Sequence, residues 1–227
     1  MRPEPQLFVE LTEGLPRQGP GSDECTRRAL SMVPERASIS RILDSGCGPG
    51  AQTLVLAQGT EAQIIALDLR SRFLNELRGR AVAAGVSERV SLVCGSMADA
   101  GFRDSSFDLI WSEGAIYIVG LERGLRDWSR LLKHGRCIVV SEATWLVANP
   151  PAEPAEFWKQ HYPGMKSIDE NLECAERAGY GPLGHFTVSS EDWWKNYYFA
   201  RRETPVEAAL EVRRRCQSHA HTQRSAA

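Results

Sequence analysis

No charge of one sign dominates this sequence: Lys and Arg number 27, Asp and Glu 29, for a net charge of -2. Such a balance leaves no electrostatic footprint for a nucleic-acid backbone or an anionic membrane surface, so neither is expected as a partner. Long apolar runs are missing too. Nothing approaches the roughly 18 residues of a membrane-crossing helix, and Met1-Arg2-Pro3-Glu4-Pro5 lacks the apolar stretch of a secretion signal. The six cysteines, Cys25, Cys47, Cys94, Cys137, Cys174 and Cys216, form no Cys-x-x-Cys pair, and no His/Cys group has zinc spacing. No metal site is therefore expected, and the thiols read as small apolar side chains of a reduced, cytoplasmic protein. Internal repeats and low-complexity tracts are absent. The only basic concentration, Arg201, Arg202, Arg213, Arg214, Arg215 and Arg224, reads as a solvated face or tail.

What is present is an ordinary globular composition, 42% apolar and 25% charged over 227 residues. That suits one domain with its own core. Its organising stretch is Arg41-Ile42-Leu43-Asp44-Ser45-Gly46-Cys47-Gly48-Pro49-Gly50-Ala51-Gln52-Thr53. This reads as a buried strand, a glycine-rich turn and the first turn of a helix. Glycines let the main chain approach a ligand, and the N–H groups at a helix start are open to hydrogen bonding. A second buried strand, Ile64-Ile65-Ala66-Leu67-Asp68-Leu69, ends in an acid about 20 residues on, where ribose hydroxyls are held in nucleotide-binding folds.

The pattern Asp44-x-Gly46-x-Gly48-x-Gly50 resembles motif I of the class I S-adenosylmethionine-dependent methyltransferases. The runs 107–117, 128–133 and 141–145, with Leu15-Pro16-Arg17-Gln18-Gly19-Pro20-Gly21-Ser22, are similar to an uncharacterised bacterial branch grouped with the ubiquinone/menaquinone-biosynthesis type. The resemblance covers roughly residues 7–200. It implies S-adenosylmethionine as cofactor, a small-molecule substrate and methyl transfer by in-line displacement. Carried over to this chain, the cofactor contacts are Asp44, Gly46, Cys47, Gly48 and Gln52 on the turn. Asp68, Leu69 and Phe73 follow at the ribose, Ser96 and Met97 against the adenine, Ser112 on the floor, and Arg17 as a cation over the methionine carboxylate. Ser96 stands where the family commonly has an acid, so either it or Asp99 must meet the adenine amine.

Strand and helix alternate along the chain: strands at 39–44, 63–67, 90–94, 107–111 and 137–141, helices at 52–58, 73–84 and 121–132. This predicts an α/β fold, a Rossmann-like doubly wound, mostly parallel sheet with helices on both faces. The expected organisation is an N-terminal helical cap at 1–38, a cofactor-binding core at 39–145, and a lid insertion with C-terminal completion at 146–227. Lys133-His134-Gly135-Arg136 reads as a turn before the fifth strand. A sixth strand is expected near 184–188, with 196–201 as the alternative for a last strand. If the sheet stays incomplete, its open edge invites a homodimer. Ser45, in place of an aliphatic residue, needs a partner for its buried hydroxyl.

Chemistry is less legible than cofactor binding, because the sulfonium is already activated and the protein mainly orients the acceptor. Glu113, directly after the fourth strand, is the first candidate for a catalytic base or substrate contact, and Glu142 after the fifth strand is a second. His161 in the lid is a further candidate base. Tyr117 and Trp145 are candidate substrate walls. Trp193, Trp194, Tyr197 and Tyr198 form an aromatic group that reads as packing or a substrate wall. Asn149-Pro150-Pro151 looks like the motif of amino-methylating nucleic-acid enzymes, but it follows the wrong strand and Ala152 replaces the aromatic. Two other readings stand beside the enzyme: a non-catalytic S-adenosylmethionine-binding protein, and a nicotinamide dehydrogenase, which would need a third glycine in register and a Tyr-x-x-x-Lys pair.

Overall fold

The computed structural model describes residues 15–99 and 101–199, which fall into two compact units. The larger is Asp23–Thr187; residues 15–22 and 188–199 form the other. The larger unit therefore takes in a helix before residue 38 and the stretch after 145 together with the sheet.

Its centre is a five-stranded sheet of β1 (Arg41–Ser45), β2 (Gln63–Asp68), β3 (Val90–Cys94), β4 (Phe107–Ser112) and β5 (Leu132–Val140), in the order β3-β2-β1-β4-β5. Every pairing is parallel. The crossovers carry α2 (Ala51–Gly59), α3 (Ser71–Ala83) and α4 (Leu121–Ser129), and α1 (Asp23–Met32) precedes the first strand. Burial follows the strand period of two. Ile42, Leu109 and Trp111 join one apolar layer with Leu30 and Leu56, while Leu43 and Ile110 join the opposite one with Ile116 and Trp128; Phe107 falls in that second layer too, breaking the alternation at the pairing irregularity before Leu109. Both faces are covered, which is why β4 is buried at every position. Each large aliphatic or aromatic side chain buried this way contributes about 1.5–3 kcal/mol.

The opposite end of the sheet is fastened by Asp108. Its side chain is 2% exposed and accepts from the Ser40 and Arg41 N–H groups and from Lys133 Nζ.

Beyond β5 the chain forms β6 (Thr144–Trp145), α5 (Ala152–His161), β7 (Lys166–Ser167) and α6 (Ile168–Arg177). β6 and β7 pair as a small separate parallel sheet. Two expectations need correction here. The stretch 184–188 is irregular rather than a strand: Gly184 has φ +156°, and Phe186 is held by the Arg28 guanidinium 4.2 Å from its ring centroid. Nor does 196–201 supply a strand, because Trp194–Phe199 is a π-helical turn; residues 200 and 201 lie outside the described residues. Among the described residues, β5 thus ends the sheet. The fifth strand also begins earlier than expected, at Leu132. The turn at 133–136 is built into it as an irregularity of pairing, with Gly135 at φ +71°.

In the smaller unit, α7 (Ser190–Trp193) is capped by Ser189 Oγ and continues into the π-helical turn. Asn196 Nδ2 donates to the Gly21 carbonyl at 3.1 Å. No helix among the described residues is long and apolar enough to cross a membrane. Cys25, Cys47, Cys94, Cys137 and Cys174 are thiols.

Candidate active site at the carboxyl ends of the strands

The glycine turn leaves β1 at Ser45 and is stapled to β2 by two consecutive amides. Gly46 N and Cys47 N donate to the Leu67 carbonyl at 2.8 and 2.9 Å. Gly46, Gly48 and Gly50 have φ of +79°, +53° and +88°, the left-handed region that side chains avoid. A Cβ on Gly46 would run into Ala115, and one on Gly50 into Leu77. The glycines are therefore required by backbone conformation, and at Gly46 and Gly50 also by close packing.

Asp44 does not face outward. It is wholly buried, and its two oxygens accept from Thr53 Oγ1 at 2.6 Å and Gln52 Nε2 at 3.3 Å, both in the first turn of α2. Gln52 also donates to the Cys47 carbonyl at 3.1 Å, so the acid, the turn and the helix start form one hydrogen-bonded unit. Burial pushes the Asp44 carboxyl up to about 7; the Thr53 and Gln52 bonds oppose the shift, and the charges of Glu113 and Asp68 add to it. Cys47 is likewise held as a thiol by burial and by the negative charge of Asp44 and Asp68.

Asp68 ties the turn to the next loop: Oδ2 accepts from Gly48 N at 2.9 Å and Oδ1 from Arg70 N at 2.8 Å. An ionised carboxylate offers about four acceptor sites, which suits it to the hydroxyls of a sugar. Leu69 follows at 64% exposed. Glu113 Oε2 accepts from Thr26 Oγ1 at 2.9 Å and Trp111 Nε1 at 3.2 Å, which anchors the end of β4 to α1.

The remaining expected residues divide. Met97 is half-buried, approaches the turn near Gly46, and its carbonyl accepts from Trp128 Nε1 at 3.0 Å. Ser96 is exposed, and its Oγ accepts from Ala98 N at 3.2 Å; Asp99 is exposed beside it. Ser112 is fully buried, with its hydroxyl donating to the Ser45 carbonyl at 2.9 Å, which joins β4 to the end of β1. Phe73 is a core residue, 2% exposed, on the inner face of α3. His161 is exposed at the end of α5, with Nδ1 2.7 Å from the Phe157 carbonyl and its ring stacked on Phe157. Tyr117 is 43% exposed and meets Tyr162 edge-on; Trp145 lies half-buried in β6. Arg17 belongs to the smaller unit. Among the described residues no group of three or more His, Cys, Asp or Glu is arranged to hold a metal.

Ser45 Oγ and Glu142 Oε2 are buried without a hydrogen-bond partner. The unmet need of Ser45 could be read from its replacement of an aliphatic residue. That of Glu142 could not, because its surroundings come from Tyr162 after α5.

With this geometry in place, comparison with known proteins is direct. Residues 42–135 match the family model of the methyltransferase domain. The stretch so matched runs from β1 into β5 and contains Asp44, the glycine turn, Asp68 and Glu113. The chain is 26% identical over 199 residues to 24-methylenesterol C-methyltransferase 2 of Arabidopsis thaliana, covering 81% of this chain and 55% of that protein. It is 25% identical over 170 residues to 27-O-demethylrifamycin SV methyltransferase of Amycolatopsis mediterranei, covering 72% and 62%. The chain thus spans about half the length of the curated relatives it matches. A solved S-adenosylmethionine-dependent methyltransferase from Geobacter sulfurreducens, in complex with S-adenosyl-L-homocysteine, superposes with a TM-score of 0.78 at 22% identity, covering 99% of this chain and 94% of that one. The [4+2]-cyclase SpnF superposes with a TM-score of 0.69 at 20% identity, covering 90% and 83%. The fold is that of the S-adenosylmethionine-dependent methyltransferases, and the cyclase shows that the fold by itself does not name a reaction.

Proposed function

We propose that the protein is an S-adenosylmethionine-dependent methyltransferase acting on a small molecule. The observation that carries this reading is the charge around the glycine turn. Asp44, Asp68 and Glu113 surround it, and the charges acting on Asp44 besides its hydrogen bonds are both acidic. A site of that kind attracts a cation. Glycines without Cβ open the main chain to it, and Asp68 stands at the end of β2 beside the turn.

Bound there, S-adenosylmethionine supplies a methyl group on a positively charged sulfur. The protein's part is orientation and exclusion of water, an effect worth up to about 7–11 kcal/mol. Gly46 and Gly48 bring main chain against the ligand, and Asp68 accepts from the ribose hydroxyls. Leu69 and Met97 offer apolar surface to the adenine, and Asp44 positions Gln52 and Thr53 beneath the turn. Glu113, fastened by Thr26 and Trp111, contributes a fixed negative charge on the acceptor side. Sterol and rifamycin methyltransferases among the relatives support a small-molecule acceptor. The finer likeness to the ubiquinone/menaquinone-biosynthesis type rests on residues 107–117 and their neighbours. The five cysteines among the described residues are thiols, which fits a reducing, cytoplasmic setting.

Calorimetric titration with S-adenosylmethionine and S-adenosylhomocysteine, followed by turnover on a metabolite panel, tests the proposal. Binding with turnover is expected. Binding of either compound without turnover on any acceptor would favour a non-catalytic sensor.

A further inference from the structure

Four carboxylates stand at the carboxyl ends of adjacent strands: Asp44 on β1, Asp68 on β2, Glu113 after β4 and Glu142 after β5. The first three are each hydrogen-bonded within the fold through the oxygens described above. Asp44 takes donors from Thr53 and Gln52, Asp68 from Gly48 and Arg70, and Glu113 from Thr26 and Trp111. Glu142 differs. Its Oε1 accepts from Ala143 N at 3.0 Å and the Tyr162 hydroxyl acts on the carboxylate as a donor, while Oε2 is enclosed with no partner within hydrogen-bond distance. A buried acceptor in that state carries an unrecovered desolvation penalty, and native folds keep few of them without a use.

We infer that Glu142 is the acceptor-side catalytic residue of this site and that, with Tyr162 and Tyr117, it selects an amine. The inference rests on the cofactor reading above. Position supports it first. β4 and β5 pair Ser112 with Val140, and Ser141 Oγ accepts from Gly114 N at 2.7 Å. Ala115, the next residue, lies against Gly46 of the turn. Ser141, the residue before Glu142, is therefore bonded to the segment after β4 that packs on the cofactor turn.

Its surroundings support it next. The Tyr162 phenol, from the end of α5, lies against the carboxylate; burial and the Glu142 charge push its acidity down, toward a higher pKa. Burial likewise raises the Glu142 carboxyl, offset in part by Tyr162, Ala143 N and the charge of Lys166. Tyr117, from the turn after β4, packs edge-on to Tyr162 with ring centroids 6.1 Å apart. An ionised carboxylate oxygen accepts only, so its occupant must be a donor. Ring faces favour a cationic donor, and the nearby acids disfavour an anionic one. An amine meets all three conditions.

In the step this implies, the bound ammonium first gives a proton to the Glu142 carboxylate, and the freed nitrogen lone pair then forms the N–C bond while the C–S bond breaks. The electron pair of that bond goes to sulfur, which becomes a neutral thioether. The methylated nitrogen keeps its remaining protons and leaves as an ammonium, while the proton on Glu142 is lost to solvent.

The test is calorimetric binding of phenethylamine, tryptamine and putrescine to the protein saturated with S-adenosylhomocysteine, with 2-phenylethanol and phenylacetate as matched controls. At least one amine is expected to bind at least tenfold more tightly than either control, and Glu142→Gln to weaken it at least tenfold with S-adenosylhomocysteine affinity unchanged. Tyr162→Phe should weaken it less. Binding of no amine, preference for the alcohol or acid, or an unchanged Glu142→Gln would overturn the inference. Failure of S-adenosylhomocysteine itself to bind would instead overturn the cofactor reading on which it rests.

Discussion

The Thr53 hydroxyl donates to Asp44 Oδ2 at 2.6 Å, joining the last turn-facing acid of β1 to the first turn of α2 inside a site with no solvent access to the carboxylate. Through this bond the acid holds the helix start in place, while the charges of Glu113 and Asp68 act against its ionisation.

A pH dependence follows. The Asp44 carboxyl is raised from 3.8 to about 7 in the fold. As pH rises through that window the unfolded chain has released the proton and the folded one still holds it. Stability therefore falls with pH, by an amount on the order of 4 kcal/mol, and levels off above about 7. Denaturant unfolding across this range should show the slope, and Asp44→Asn should flatten it. A cationic ligand favours the ionised acid, so S-adenosylmethionine should bind more tightly at pH 8 than at pH 6, with proton release detectable by calorimetry in buffers of differing ionisation enthalpy.

Asp108 has the opposite sign. Burial alone would raise its carboxyl, but Lys133, the Ser40 hydroxyl and the Ser40 and Arg41 amides outweigh it and bring it down to about 2. That stability is complete above the unfolded value near 4 and is lost as pH falls from there toward 2. Asp108→Ala should cost about 2–3 kcal/mol near neutral pH, because it strands two backbone amides at the opposite end of the sheet. Thermal unfolding should then shift down by several degrees with cofactor affinity unaffected.

Ser45→Ala should be stabilising. The Ser45 hydroxyl is buried without a partner, while its carbonyl, which the substitution keeps, accepts from Ser112. Removing an unmet hydroxyl recovers about 1 kcal/mol, which for a chain of this size is roughly 2–4 °C in Tm. A fall in Tm would show that the hydroxyl has a role the fold does not reveal.

Glu113→Gln and Glu113→Ala should separate. Gln keeps an oxygen for Thr26 and Trp111 Nε1; Ala leaves both donors unmet, Thr26 being fully buried, at about 1–3 kcal/mol each. Urea unfolding of the two variants measures the difference. Equal stability of both would remove the anchoring role.

Much of the fold could be read directly. The runs Ile42-Leu43, Ile64-Ile65-Ala66-Leu67 and Leu109-Ile110-Trp111 are apolar on both strand faces, and only a sheet covered on both sides accommodates that. The glycines and Asp68 were legible because left-handed φ and a strand-end acid leave local signatures. Three things were hidden, each for a physical reason. α6 was missed although Ser167 and Glu170 form a reciprocal capping box, a local signal that was present. The alternation at 183–188 looked like a strand, but Phe186 is satisfied by Arg28 instead of a neighbouring strand. Phe73 and Ser112 looked like ligand contacts because they flank the right positions. Which way a side chain faces is decided by tertiary packing, and both face the interior.

The most direct measurement is isothermal titration of S-adenosylhomocysteine into the wild-type protein and into Asp68→Ala. The account predicts saturable binding to the wild type, and a loss in the variant of about 1.5–3 kcal/mol for each charge-assisted ribose bond removed, tenfold or more in Kd. No heat with the folded wild type at millimolar ligand, or equal affinity in the two proteins, would contradict it.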